Sequence, residues 1–266
     1  MNAGQKAIFF DTDGTLYDRD NPEGVPDSAR FALDRLRENG HKTFICTGRV
    51  SCAVEDSLRE LGFDGMILGC GTHIFYRGRQ LFYHQMDRET GSRLVELVAE
   101  YGGMAILEGK DYLYCDPCPP DSEFYPYYKK RQEMFRPILR PVSGTDWEIS
   151  KMTVRFSGRH PESKAVMVRE VSRLADVIDS GSSAEFVPKG FSKASGIAYI
   201  LEKLGINRED TVAFGDGMND LEMLSYVGLG IAMGNSAPEI LDVCGARTDA
   251  VYEDGVYKAC VRYGLI

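Results

Sequence analysis

The stretch that decides the fold is Lys6-Ala7-Ile8-Phe9-Phe10-Asp11-Thr12-Asp13-Gly14-Thr15. Its short, β-prone apolar run predicts a strand that is buried on both faces of a parallel sheet. Ligands of open α/β sheets bind beyond the carboxyl ends of such strands, where Asp11 and Asp13 follow. Side chains two positions apart on an extended backbone point the same way, so we expect the two carboxylates to lie together. Asp and Gly also end strands at plain turns, but adjacent carboxylates repel each other unless a cation or a proton intervenes.

A second carboxylate pair follows another predicted strand, in Thr211-Val212-Ala213-Phe214-Gly215-Asp216-Gly217-Met218-Asn219-Asp220. Here too a short apolar strand runs into acids and glycines, and a helix from Leu221 to Tyr226 is predicted next. If the two strands are neighbours, three or four carboxylates converge at one edge of the sheet. Such an oxygen-rich site suits Mg²⁺, so the predicted metal ligands are Asp11, Asp13, Asp216 and Asp220.

Two further motifs supply groups that bind phosphate. Ile45-Cys46-Thr47-Gly48-Arg49 is a strand that ends in a hydroxyl, a glycine and an arginine, and Gly190-Phe191-Ser192-Lys193 opens a helix. Hydroxyl groups, lysine and the free backbone N–H groups of a helix start are phosphate ligands. The role of Arg49 stays open, because it could equally be a surface residue. From the residues alone, Thr47 and Lys193 are therefore phosphate-binding candidates.

In this order, the four motifs resemble those of the haloacid dehalogenase-like phosphohydrolases, and within them the Cof-type sugar-phosphatase branch with a large C2-type cap. The resemblance covers nearly the whole chain, including Ala232-Met233-Gly234-Asn235-Ser236 after the fourth motif. One departure is Cys70-Gly71-Thr72, where Cof-type members usually have Asn-Gly-Ala. Any polar contact of that asparagine is therefore not carried over to this chain.

The resemblance implies a Mg²⁺-dependent phosphohydrolase that acts through an aspartyl-phosphate on small phosphorylated metabolites, with sugar phosphates expected. Asp11 is then the nucleophile, and Asp13 protonates the leaving group and later takes a proton from water. The backbone carbonyl of Asp13 would also bind the metal. Asp216 would bind it directly, with Asp220 as a second ligand or as support behind it. Hydrogen bonds to the transferring phosphoryl group are expected from Thr47 and Asn219. The phosphate-binding candidates that the resemblance implies are Thr12, Asp13, Thr47, Gly48, Lys193 and Asn219.

Two other functions remain open from the sequence. A phosphomutase uses the same Asp-x-Asp site but retains the phosphoryl group, and a bisphosphate requirement would reveal it. A regulator that binds a phosphorylated ligand without turnover has no need of a paired nucleophile and acid, which this chain has in Asp11 and Asp13.

The order of predicted elements gives an α/β fold with a doubly wound, parallel-sheet (Rossmann-like) core and an inserted α+β cap domain. The predicted segments are a first core part at 1–84, the cap at 85–187 and a second core part at 188–266. Between the core motifs, a helix is predicted over 51–61. Within the cap, a Pro- and Tyr-rich loop is predicted over 117–128, and Lys151 is expected to be exposed.

Composition excludes several classes of protein. The net charge of −9 argues against nucleic acid as a partner. The sequence contains no run of 18 or more apolar residues, so no membrane-spanning segment is predicted. The N-terminal residues lack the apolar core of a signal peptide, so a cytoplasmic enzyme with reduced cysteines is expected. The CxxC motif at 115–118 has no second Cys or His pair for zinc. Lys129-Lys130-Arg131, beside three tyrosines, is interpreted as a solvated helix end or cap surface. The sequence leaves the oligomeric state open.

Overall fold

The computed structural model describes residues 4–18, 21 and 23–266 of the chain. The chain divides into two compact units. The first comprises Met1–Gly48, Glu55–Phe82 and Ser192–Ile266, and the second comprises Arg49–Val54 and Tyr83–Phe191. The second unit is therefore largely an insertion into the chain of the first.

The first unit is built on an eight-stranded sheet. Its strands are β1 (Ala7–Phe10), β2 (Lys42–Cys46), β3 (Gly65–Leu68), β4 (His73–Tyr76), β5 (Arg79–Tyr83), β12 (Thr211–Gly215), β13 (Leu229–Ala232) and β14 (Ala246–Arg247). They lie in the order β14-β13-β12-β1-β2-β3-β4-β5. All neighbours from β14 to β3 pair in parallel, and β4 pairs antiparallel with β3.

Helices cover both faces of this sheet. They are α1 (Asp27–Glu38), α2 (Asp56–Arg59), α6 (Lys193–Leu204), α7 (Leu221–Tyr226), α8 (Pro238–Val243) and α9 (Gly255–Arg262). Side chains of α6, α7 and α8 share one buried apolar cluster with Phe9 and Phe44, whose rings stack at 4.9 Å. Helix α1 packs against β2 and α9. The predicted doubly wound α/β core is thus confirmed.

The second unit contains a six-stranded sheet with three helices. The strands are β6 (Met104–Glu108), β7 (Leu113–Tyr114), β8 (Leu139–Arg140), β9 (Lys151–Arg155), β10 (Ala175–Asp179) and β11 (Ser183–Pro188), in the order β10-β11-β9-β6-β7-β8. The helices are α3 (Arg88–Glu100), α4 (Tyr125–Phe135) and α5 (Pro161–Val171). Most pairings are antiparallel, which confirms the α+β character predicted for the insertion.

Apolar side chains divide this second sheet into two faces. On one face, Met152, Val154 and Phe186 pack with residues of α3 and α5. On the other, Met104 and Ile106 pack with Tyr128 of α4. Period-2 alternation along β9 therefore places Lys151, Thr153 and Arg155 away from the α3–α5 core.

Two local predictions differ from the structure. The single helix predicted over 51–61 is wrong: a 3-10 turn at Ser51–Ala53 and the short α2 are separated by extended backbone at Val54 and Glu55. The loop predicted over 117–128 is wrong in its last four residues, since α4 begins at Tyr125. Pro126 lies in the first turn of α4, where the missing N–H of proline costs nothing.

The boundaries of the units differ from the predicted segments by two residues at the first junction and four at the second. Residues 49–54 also group with the second unit, because Val50 and Ala53 are buried in the apolar cluster that contains Met104 and Ile106. Within the part of the chain that the structure describes, no helix has the length and apolarity needed to cross a bilayer.

Candidate active site

The site lies at the carboxyl ends of β1 and β12, which are neighbours in the sheet. The two strands pair in register, with Phe10 opposite Phe214, and the Asp11 N–H continues the ladder to the Phe214 carbonyl at 3.0 Å. Strand β1 also pairs with β2, so the strand order reverses direction at this point. Crevices in open α/β sheets form at such reversals.

A fully buried lysine connects the two carboxylate motifs. Lys193 Nζ donates to Asp11 Oδ1 and to Asp220 Oδ1, each at 2.5 Å. The lysine is the first residue of α6, and Ser192 caps that helix through reciprocal hydrogen bonds with Ser195. The capped helix start therefore fixes the backbone from which Lys193 reaches both acids.

The second oxygen of Asp220 organises the turn that carries Asp216. Asp220 Oδ2 accepts hydrogen bonds from the backbone N–H groups of Asp216, at 3.0 Å, and Gly217, at 2.9 Å. Asp216 Oδ1 in turn accepts from Thr15 Oγ1 at 3.1 Å. Asp220 thus acts on the geometry of the site through its backbone contacts as well as through its charge.

Carboxylate oxygens of Asp11, Asp216 and Asp220 all lie within 4.8 Å of one another. Oxygen donors this close together form the type of ligand set that a hard divalent cation such as Mg²⁺ prefers. Lys193 is the one cation that pairs with these carboxylates among the described residues, and a bound cation would offset the remaining repulsion. The residues present therefore fit a magnesium site.

Burial and like charge perturb the titration of the cluster. Burial, and then the neighbouring Asp220, raise the pKa of Asp11 well above its ordinary value. The same two causes raise the pKa of Asp216 to about 7. Burial disfavours charge on Lys193, but the contacts with Asp11 and Asp220 outweigh it and raise the lysine pKa. Perturbed carboxyl groups with a specific charge partner are typical of functional sites.

Asp11 and Asp13 differ in burial, which their spacing in the sequence does not predict. Strand β1 ends at Phe10, and the following residues form a turn in which the Thr12 carbonyl accepts from the backbone of residues 15–17. Asp11 is buried, whereas Asp13 is exposed. Strand alternation does not extend into this turn, so the two side chains differ in burial. The charge of Asp13 nevertheless contributes to the raised pKa of Asp216, the neighbour of Asp11 in the carboxylate cluster.

The remaining phosphate-binding candidates lie in the first unit. Thr12 and Thr47 are buried, and their hydroxyl oxygens are 2.8 Å apart, which joins the ends of β1 and β2. Gly48 follows Thr47 directly and is partly buried. Asn219 lies in the 3-10 turn Met218–Asp220, one residue before the Lys193-bound carboxylate.

Gly14, Thr15 and Asn235 position the site, although no role is predicted for them from the sequence. Gly14 has φ of 84°, and a Cβ there would lie 2.2 Å from Asp216 Oδ2, so only glycine fits. Asn235 Nδ2 donates to the Gly14 carbonyl at 2.8 Å, and its Oδ1 accepts from Val251 N. Thr15 and Asn235 both lie within motifs quoted above. Membership of those motifs is the sequence feature from which a role in the site could be predicted.

Cys70, which stands where Cof-type members usually have asparagine, lies in a strained turn. Cys70 is buried with φ of 55°, a left-handed conformation in which asparagine is several-fold enriched and cysteine is uncommon. Its N–H donates to the Thr47 carbonyl at 3.2 Å. The backbone contact to the second motif is therefore made without the asparagine that Cof-type members usually have.

A second buried lysine lies in the inserted unit, where exposure was expected. Lys151 Nζ is 3.4 Å from Glu108 Oε2 and forms a very short contact with Glu185. Thr153 donates to the other oxygen of Glu108. The prediction that Lys151 is exposed is wrong, because acids on both neighbouring strands, β6 and β11, pair with it within the sheet.

Comparison with known proteins gives the family. The sequence model of a family described as haloacid dehalogenase-like hydrolase matches residues 8–260. The chain belongs to the haloacid dehalogenase-like hydrolases. This confirms the resemblance drawn from the four motifs and the prediction of a hydrolytic enzyme.

Individual relatives span almost the whole chain. A Bacillus subtilis (strain 168) protein named "Putative phosphatase YkrA" is 32% identical over 98% of this chain and 98% of its own length. An HMP-PP phosphatase of Klebsiella pneumoniae (strain 342) is 26% identical over 88% of this chain and 86% of its own. Among solved structures, the subclass IIB sugar phosphatase BT4131 superposes with a TM-score of 0.83 at 25% identity, over 98% of this chain and 100% of that one.

Proposed function

We propose that this hydrolase is a Mg²⁺-dependent phosphatase that releases phosphate from small phosphorylated metabolites, with sugar phosphates as the leading class. One observation carries the proposal: Asp11, at a strand end in a member of this family, is paired with buried Lys193 beside Asp216 and Asp220. The relatives named as phosphatases, and the structural similarity to a sugar phosphatase, support the substrate class.

In the proposed mechanism, Asp11 is the nucleophile. A carboxylate oxygen of Asp11 forms a bond to phosphorus while the bond from phosphorus to the leaving oxygen breaks. Lys193 holds Asp11 by its ammonium group and disfavours protonation of the attacking oxygen. Thr47, Gly48 and Asn219 are proposed to hold the phosphoryl oxygens.

Asp13 is proposed to move the protons. Its carboxyl group gives a proton to the leaving alkoxide and, as carboxylate, takes one from the water that attacks phosphorus. That attack releases phosphate and restores the Asp11 carboxylate. The exposure of Asp13 suits a group that must meet both a leaving group and water.

Asp11, Asp216, Asp220 and the Asp13 backbone carbonyl are proposed to hold Mg²⁺. When bound, the ion supplies positive charge that offsets the phosphate and its developing charge. Asp220 accepts hydrogen bonds from Lys193 and from the Asp216 backbone, and these contacts would hold both groups in position at the proposed metal site. Whether it also touches the ion is a question for metal titration of an Asp220→Asn variant.

A panel of phosphorylated metabolites tests the proposal directly. Sugar phosphates, HMP-PP and p-nitrophenyl phosphate are incubated with the full chain, with Mg²⁺ or with excess chelator, and released phosphate is measured. We expect release from at least one metabolite, only with the metal, and none from the Asp11→Asn control. Turnover that requires a bisphosphate and releases no phosphate would establish a mutase instead.

We also propose that residues 85–187 form a cap that selects the substrate. The support is positional, because an α+β segment interrupts the chain of the α/β unit between phosphate-binding motifs. The proposed substrate-facing part is 117–128, whose aromatic and hydroxyl groups suit a sugar ring. Exchanging residues 85–187 for the cap of a relative should change the substrate profile to that of the relative, whereas the requirement for Asp11 and Mg²⁺ should remain. A profile that stays with the core would overturn the cap assignment.

A further inference from the structure

Two arginines of the inserted unit lie against one tyrosine. Arg131 Cζ is 5.0 Å from the centre of the Tyr127 ring, one turn away on α4. Arg155 Cζ, at the end of β9, is 4.9 Å from the same centre. The two guanidinium carbons are thus at most about 10 Å apart, comparable with the screening length of dilute salt solution.

These two positive charges have no carboxylate partner within 4.0 Å among the described residues. The nearby acids are engaged elsewhere. Glu123 accepts from Ser157 and Gly158, and Glu133 pairs with Lys129. The positive charge of this pair is therefore uncompensated by any close ion pair.

Hydrogen-bond donors of Arg131, Arg155 and Tyr127 also have no close partner among the described residues. Arg131 Nε is buried and has no hydrogen-bond partner, and Nη1 makes only a long contact of 3.9 Å to Met134 Sδ. No hydrogen bond joins the guanidinium of Arg155, or the hydroxyl of Tyr127, to another described residue. A buried N–H without a partner is costly, so a native structure that retains one calls for a physical reason.

We propose that Tyr127, Arg131 and Arg155 form a binding site for an oxyanion, a phosphate or carboxylate group of a small metabolite. Guanidinium groups offer several fixed donors that match both anions, and an oxyanion bound beside them would accept hydrogen bonds from donors that lack a partner and offset positive charge. The Tyr127 ring holds both arginines by cation–π contact and keeps them in place before the anion arrives. None of the three residues belongs to the carboxylate cluster around Lys193.

The experiment follows the arginines themselves. Full-length ¹⁵N-labelled protein is titrated with inorganic phosphate, and separately with acetate, at ionic strength held constant with chloride. The Nε–Hε signals of Arg131 and Arg155 are assigned with Arg131→Lys and Arg155→Lys variants. We expect both signals to shift and saturate together. Saturation with phosphate alone identifies a phosphoryl site, and saturation with acetate as well extends it to carboxylates.

Substitutions separate this site from anion binding elsewhere on the chain. In Arg131→Gln, the dissociation constant read from the Arg155 signal should rise by at least about tenfold, since a charge-assisted hydrogen bond is lost. Arg173→Gln is the matched control, because Arg173 is an exposed arginine of the same unit that pairs with Glu170. Tyr127→Phe keeps the ring and reports whether the protein remains folded.

Two outcomes would overturn the proposal. In the first, neither signal moves with phosphate or acetate beyond its response to chloride. In the second, Arg131→Gln and Arg173→Gln weaken binding equally. The anion would then respond to the overall positive charge of the unit and not to a specific site.

Discussion

The two units of the molecule each bury a lysine between two carboxylates, yet the clusters differ in what surrounds them. Lys193 contacts Asp11 and Asp220 at the carboxyl edge of a parallel sheet, beside the third acid Asp216. Lys151 contacts Glu108 and Glu185 across adjacent strands of a largely antiparallel sheet.

A buried ion cluster is therefore not by itself evidence of a catalytic site. The first cluster has a third carboxyl group, and two of its three carboxyl groups have raised pKa values, at a point where strand order reverses. The Lys151 cluster joins β6, β9 and β11, and we infer that it fixes their register. The substitutions below test the two clusters in turn.

The largest effect is expected from Asp11→Asn. Loss of the nucleophile should lower kcat by at least about 10³-fold, as measured by phosphate release under saturating substrate. Thermal stability should stay near that of the wild type, because Lys193 keeps Asp220 as its partner. Substantial turnover by this variant would remove Asp11 from the mechanism.

Asp216→Ala should weaken metal binding at the first cluster. We expect Mg²⁺ affinity, measured by titration calorimetry, to fall by more than about tenfold because one of three carboxylate ligands is lost. The melting temperature without metal should not fall, since repulsion among the acids is relieved. Full wild-type activity in excess chelator would contradict the metal site itself.

The pH dependence of the metal-free protein gives a second measure on the same variant. Asp216 has a pKa of about 7 in the folded chain, well above that of an unfolded aspartate. Stability from such a group is complete below the unfolded pKa and is lost as pH rises through the folded pKa. Between about pH 4 and pH 8 the wild-type melting temperature should therefore fall more steeply than that of Asp216→Ala.

Asp13→Ala should separate proton transfer from nucleophilic attack. Alkyl phosphates leave as poor alkoxides, so their turnover should fall by about 10²-fold or more, whereas p-nitrophenyl phosphate should lose much less. The kcat/KM values of an alkyl and an aryl substrate series measure this difference. An equal loss across the series would assign Asp13 to metal positioning alone.

Lys151→Met tests the second cluster through stability. Because removing the ammonium group takes away the positive charge that pairs with Glu108 and Glu185, we expect the free energy of unfolding to fall by about 3 kcal/mol. Replacing Glu108 and Glu185 by Leu in the same variant should recover most of that loss. The matched control is Lys164→Met, from an exposed pair with Asp179, which should cost less than about 1 kcal/mol. Equal losses in the two single variants would contradict a buried cluster.

Sequence reasoning located the carboxylate cluster because its residues directly follow apolar strands. Asp11 and Asp216 could be placed from the two strand ends alone, and the structure brings both together with Asp220. The environment of Asp13 could not be derived, since turn geometry beyond Phe10 depends on bonds to the Thr12 carbonyl.

Tertiary contacts explain the other differences. Nothing in the local pattern around Lys151 indicates that Glu108 and Glu185 lie on the neighbouring strands, so burial of the lysine was not predictable. The break in the helix predicted over 51–61 likewise depends on Val50 and Ala53, which pack with Met104 and Ile106. Residues distant in sequence decided both outcomes.

The proposed mechanism depends on phosphorylation of Asp11 during turnover, and mass spectrometry of the acid-quenched enzyme can detect this modification. The wild type is mixed with a sugar phosphate that it hydrolyses and Mg²⁺, quenched during steady state, digested and mapped. We expect a phosphoryl group on the Asp11 carboxylate in the wild type and none in Asp11→Asn. An unmodified Asp11 peptide in an enzyme that is turning over, or a phosphoryl group on another residue, would contradict it.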